Sequence, residues 1–157
     1  MAVMAFQYQY ALVKASRKVL LEYCKTLFYQ DFIVEQSTFG RGSIRNLLVH
    51  IGNTYEFWIG RHCLHKDIQF TEYYSVKSAI EAEDFFDTID VLVEAFINVY
   101  AENYLMEKEI TLTDKVLLAS PLKVFTHVIT HEFHHKGQIL SLSRQLGYVP
   151  VDTDIIR

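Results

Sequence analysis

Apolar residues recur at helical spacing in four stretches of the chain. In the first, from about Met4 to about Phe28, Phe6, Tyr10, Val13, Val19, Leu20, Leu27 and Phe28 form a broad apolar face. YQDFIVEQSTFGRG then breaks the pattern, and Gly40 and Gly42 mark a loop. The second helix opens at Ser43, an N-cap residue type, and runs through IRNLLVHIGNTYEFWIGRHCL. Its inward stripe is Ile44, Leu47, Leu48, Ile51, Tyr55 and Trp58 or Ile59. HKDIQFTEYYSVK follows without periodicity and reads as a loop.

The third helix opens with Ser78 and Glu81 at the spacing of a capping box and continues to about Tyr104. Its stripe is Phe85, Ile89, Leu92, Phe96, Val99 and Tyr100. LMEKEITLTDKVLLAS suggests a short extended or hairpin segment. The fourth helix has Ser120 as N-cap, Pro121 at its first position, Gly147 after its last turn and Pro150 beyond. Four such helices bury their apolar faces by packing together. The pattern predicts an all-α fold: a four-helix bundle with a long connection between helices 2 and 3 and a short hairpin before helix 4.

Composition agrees and narrows the function. The 157 residues are half hydrophobic with only 6 Gly and 2 Pro, and no repeat or linker divides them, so one domain over 1–157 is expected. The net charge of −4 is interspersed, with no basic run to neutralise phosphates, which argues against nucleic acid. Cys24 and Cys63 form no CxxC pair, no signal peptide is evident, and no stretch approaches the roughly 18 apolar residues of a membrane span. A cytoplasmic protein that does not enter the membrane is the expectation.

Four of the seven histidines, His127, His131, His134 and His135, fall on the fourth helix. Residues four apart are offset by about 40° and one turn, so His127, His131 and His135 form a column. Two imidazoles at that spacing offer two nitrogens to one first-row metal, and a third ligand must come from elsewhere. His50, at the edge of the second helix's inward face, is the candidate. The alternative is that these histidines are packed core or surface residues. His62 and His65, beside Arg61 and Lys66, read as solvated loop residues.

His131 to His135 also spells HExxH, the zinc-peptidase pattern. That chemistry needs a downstream third ligand, yet no Glu or His follows His135, and no sheet is predicted on which a peptide could lie. Peptidase activity is therefore disfavoured. Glu132 is a weak candidate for a base, with a solvent-facing helix charge the preferred reading.

IRNLLVHIGNTYEFW, VFTHVITHEFHHKGQILSLSRQLG and the tail GYVPVDTDIIR together resemble the DinB-like (damage-inducible B, or YfiT-like) superfamily of metal-binding bundle proteins. The two histidines followed by a basic residue, Gly and Gln at 134 to 138 are the most specific mark. The resemblance implies that His50, His131 and His135 hold one divalent metal, with His127 and His134 supporting the site without ligating. Gly137, costly inside a helix, would permit close approach of a neighbouring helix or chain. Zinc or nickel is the expected metal, although imidazole also suits copper and iron. The resemblance further implies a homodimer and a small-molecule substrate. The leading expectation for activity is a metal-dependent transferase that activates a low-molecular-weight thiol. A hydrolase using metal-bound hydroxide and a non-catalytic, stress-associated metal-binding protein are the alternatives.

Overall fold

A computed structural model describes residues 2–36, 38 and 40–157. The four predicted helices are present as α1 (Ala2–Cys24), α3 (Ile44–Tyr55), α4 (Ala79–Tyr100) and α5 (Pro121–Gln145). They pack as a bundle around Phe6, Tyr55, Phe96 and Phe125, with the Phe6 and Phe125 rings edge to face at 4.8 Å. A short antiparallel hairpin, β1 (Lys108–Thr111) and β2 (Val116–Ala119), precedes α5 in the register Lys108 to Ala119 and Thr111 to Val116. Ile110 anchors it in the core.

Helix ends follow the side chains that cap them. The hydroxyls of Ser43, Ser78 and Ser120 accept from the backbone N–H groups of Asn46, Glu81 and Lys123, satisfying donors that the first turn leaves free. The Glu81 carboxylate reaches back to the Lys77 N–H at 2.7 Å, one residue before the cap. At the end of α5, Gly147 has φ +95°, Tyr148 N–H bonds to Ser143 C=O and Gly147 N–H to Arg144 C=O. This is the Schellman arrangement, and it requires a residue tolerant of the left-handed region.

Several boundaries depart from expectation. The first helix stops at Cys24, where Thr26 Oγ1 takes the Tyr23 carbonyl at 2.7 Å and competes with further helix. Phe28 consequently leaves the apolar face, is 76% exposed and precedes a short helix, α2 (Tyr29–Ile33), inside the segment read as a break. Ser37 and Phe39 of that segment lie outside the described residues. Helix α4 ends at Tyr100, and Phe86 and Ile97 are buried while Phe85 is half-buried and Val99 exposed. Phe85 instead packs where Gly52 lacks a side chain; a Cβ there would collide with its ring.

Beyond Tyr55 helix α3 continues as a π-helical segment, Glu56–Cys63, which carries His62. That histidine is not a loop residue: it is half-buried, its ring 4.6 Å from the Phe57 ring. His65, just past the helix at φ 54°, is exposed as expected. The long connection from Leu64 to Ser78 contains only a 3₁₀ turn, Tyr73–Ser75. No neighbouring helix of the chain approaches Gly137: among the described residues nothing outside its own helix neighbourhood lies within 4 Å of where its Cβ would be. No described helix is long and apolar enough to cross a membrane.

Candidate metal centre

Helices α3 and α5 lie side by side, and their facing surfaces bring His50 to His131 and His135. The three rings form a compact triangle, with centroids 4.9 Å (His50 to His131), 4.7 Å (His50 to His135) and 4.3 Å (His131 to His135) apart. One ring nitrogen from each lies within 4.8 Å of the others. His135 is buried; His50 and His131 are half-buried, so the triangle sits at the edge of the bundle with one side toward solvent.

Hydrogen bonds set how the rings present themselves. His135 Nδ1 bonds to Gln138 Oε1 at 2.7 Å; with this amide oxygen accepting, Nδ1 carries the proton and Nε2 keeps its lone pair. The Gln138 amide nitrogen in turn bonds to His134 Nε2 at 3.2 Å. Gln138 thereby couples His134 to the orientation of His135, the kind of support that holds a metal-ligating imidazole in place. His127 is exposed, its ring 5.9 Å from that of His131 and 5.3 Å from that of Trp58.

Electrostatics keep the rings neutral. Burial, followed by the charges of Arg41 and His135, pushes His50 down to about 4. Burial and the neighbouring histidines push His131 down to about 3. His135 is also lowered by burial, opposed by its bond to Gln138. Neutral imidazole is the form that binds a metal, so no proton has to leave at pH 7.

Two features fit a cation. The Nε2 atoms of His131 and His135 are 3.0 Å apart, a spacing suited to two ligands of one ion with metal–nitrogen bonds of about 2.0–2.1 Å. His131 Nδ1 is buried without a hydrogen-bond partner, so the one polar neighbour this ring has among the described residues is the Nε2 of His135. The three-histidine group can hold a metal ion.

Glu132, the middle of HExxH, is not a solvent-facing charge. It is fully buried on another face of α5, where Arg17 donates to it through Nε at 3.0 Å and Nη2 at 2.8 Å. Tyr55 donates its hydroxyl at 2.6 Å, and Lys136 Nζ lies 3.0 Å from the other oxygen. Although burial opposes its charge, Arg17 and Lys136 hold its carboxyl down at about 2. A carboxylate occupied by two cations and a phenol has no free lone pair directed at the histidines and is a poor base. Its partner Arg17 lies 115 positions away, and no local spacing could have revealed it.

Sequence reasoning missed three further residues around the triangle. Gln138 was noticed only as a motif letter. Arg41, in the loop before α3, is near enough for its charge to depress both His50 and His135. Trp58 reaches His127 because the π-helical turns carry it there.

No curated protein matches the chain. The model of the DinB family matches residues 1–157, the whole length, and the chain belongs to that family.

Proposed function

We propose that this protein is a metal-dependent S-transferase that joins a low-molecular-weight thiol to a small electrophile. The observation that carries the reading is the donor set itself: three neutral imidazoles from two helices, with their nitrogens within 4.8 Å. Three protein ligands and a solvent-facing side are the mark of a catalytic site, since structural sites close the fourth position with protein. A bound divalent ion, zinc or nickel by preference, supplies the positive charge that makes a thiol acidic at neutral pH.

The chain's own residues do the rest. His50, His131 and His135 hold the ion, and Gln138 fixes the His135 ring. Arg41 places a cation beside the triangle, which favours an anionic sulfur over the neutral thiol. In the reaction the thiol proton passes to solvent, a sulfur–carbon bond forms, and the bond from that carbon to its leaving group breaks, with the leaving group departing with the electron pair. Glu132, occupied by Arg17 and Lys136, takes no part in moving the proton.

The test is a screen of small thiols against electrophilic acceptors with metal-loaded protein. Thiol-dependent turnover is expected in the wild type and absent in His131→Ala. Equal turnover in both removes the metal from the reaction, and hydrolysis of esters without added thiol transfers the site to the hydrolase reading. A homodimer belongs to the same proposal, supported by the exposed apolar side chains of Tyr8 on α1 and Val91 and Val99 on α4. Sedimentation at micromolar concentration tests it, and a monomer contradicts it.

A further inference from the structure

Lys123, His127, His131 and His135 follow one another along α5 at intervals of four, so each stands one turn, about 6 Å, from the next. The last two belong to the histidine triangle. The first two border a groove of about 680 Å³ walled by Leu117 and Leu118 of the hairpin, Val124 of α5 and Trp58 of the π-helical segment. That volume lies within the ~300–1,000 Å³ typical of small-molecule sites, and a mostly apolar lining with few polar groups is their usual composition. The groove and the triangle adjoin through ring contacts, Trp58 to His127 and His127 to His131.

One charge marks the far end. Lys123 Nζ donates to the Leu118 carbonyl at 3.3 Å and forms no ion pair with a carboxylate among the described residues. An apolar trough with an unneutralised ammonium at one end and a ligand triangle two turns away is complementary to an elongated molecule with an apolar body and an anionic end.

We propose that this groove is the acceptor subsite, which binds the apolar body of a small anionic electrophile with its anion at Lys123 and its reacting end toward His131. The role of acceptor rests on the S-transferase reading; the binding of an apolar anion does not.

Trp58 is the only tryptophan in the chain and lines the groove, so its emission reports occupancy without any turnover. The full chain is titrated with octanoate and with octyltrimethylammonium. Octanoate is expected to give a saturable change in emission, with the cationic probe binding at least about tenfold more weakly, equivalent to 1.4 kcal/mol. Leu118 is 55% exposed and Lys123 is exposed, so Leu118→Glu and Lys123→Glu leave the core intact, and unchanged thermal melts confirm it. Each is expected to weaken octanoate by about tenfold or more. Chelation of the metal is expected to leave octanoate binding unchanged, which separates failure of the metal chemistry from failure of the groove. Unchanged emission, or variants that bind like wild type, overturns the proposal. So does a dimer that Leu118→Glu dissociates, because the groove is then filled by a second copy.

Discussion

Arg17 and Glu132 face each other through two parallel hydrogen bonds, with the guanidinium 3% exposed and the carboxylate fully buried. Such a pair is costly to break, because removing one partner strands the other charge in a medium that solvates it poorly. Glu132→Gln is therefore expected to destabilise the fold by about 3–5 kcal/mol. Lys136 loses its counter-charge in this variant, and Arg17 keeps only Asp90, at 2.7 Å and 24% exposed. Metal stoichiometry of the folded fraction should be unchanged. Denaturant unfolding with metal analysis checks both; lost turnover at full stability would instead restore Glu132 as a base.

Metal should be held stoichiometrically by the wild type and lost in His50→Ala and His135→Ala, as read by elemental analysis of untagged protein. Binding to the folded state alone stabilises it in proportion to the logarithm of ligand excess, so chelation is expected to lower Tm by roughly 5–10 °C. Gln138→Ala, which frees the His135 ring, should weaken affinity by about 10–100-fold without abolishing binding. An unchanged affinity would show that Gln138 does not orient the ligand.

Acid should weaken the metal-free protein in two stages. His50 and His131 have folded-state values of about 4 and about 3 against an ordinary 6.5. The unfolded chain binds protons that the folded one refuses, so stability falls as pH drops from about 6.5 to about 4 for His50 and to about 3 for His131. Allowing for partial exposure, each ring accounts for about 1 kcal/mol. Glu132, held at about 2 against 4.5, adds a further loss as pH falls from about 4.5 to 2. Melts at stepped pH should show His50→Ala flattening only the first stage.

Glu56 works with the opposite sign. Burial raises its carboxyl to about 7, opposed only in part by the backbone at Thr71, and its Oε2 has no hydrogen-bond partner. The folded state holds this proton more tightly than the unfolded chain does, so its ionisation costs stability as pH rises from about 4.5 to 7. Glu56→Gln should stabilise the protein on the order of 1 kcal/mol at pH 8 and leave it nearly unchanged at pH 4. No difference between the two pH values would mean that Glu56 ionises freely.

Two helical glycines should respond in opposite directions to alanine. At Gly137 the space is open, and Gly137→Ala should stabilise by about 0.5–1 kcal/mol through helix propensity. At Gly52 the new methyl collides with the Phe85 ring, and the variant should lose about 1–3 kcal/mol. Destabilisation by Gly137→Ala that appears only at concentrations where the protein dimerises would put a second chain against this face.

What the sequence disclosed was local. The three serine caps could be named because a capping hydroxyl serves an N–H three residues away, and the His131 and His135 pair because helical pitch alone aligns them. His50 could be nominated from its place beside Val49 and Ile51, although only the packing of α3 on α5 joins it to the pair. Glu132 is not legible as a buried charge because its burial depends on a guanidinium from the other end of the chain. The exposure of Phe28 is not legible either, because periodicity does not register the turn at Thr26. Trp58 and His62 could not be placed because π-helical turns shift the angular phase on which every stripe was drawn.

The separation of Arg17 from Glu132 also bears on the order in which the bundle is assembled during synthesis. Helix α1 leaves the ribosome 73 residues before Asp90 and 115 before Glu132, the two carboxylates that pair with its Arg17. Packed early against α4, its Arg17 would find Asp90 but leave Nε without an acceptor, so that part of its inner face has to stay hydrated until α5 brings Glu132. The same late helix carries His131 and His135. A nascent chain therefore has no metal pair to offer until the element that completes its charge network has emerged, and loading of the ion follows closure of the fold.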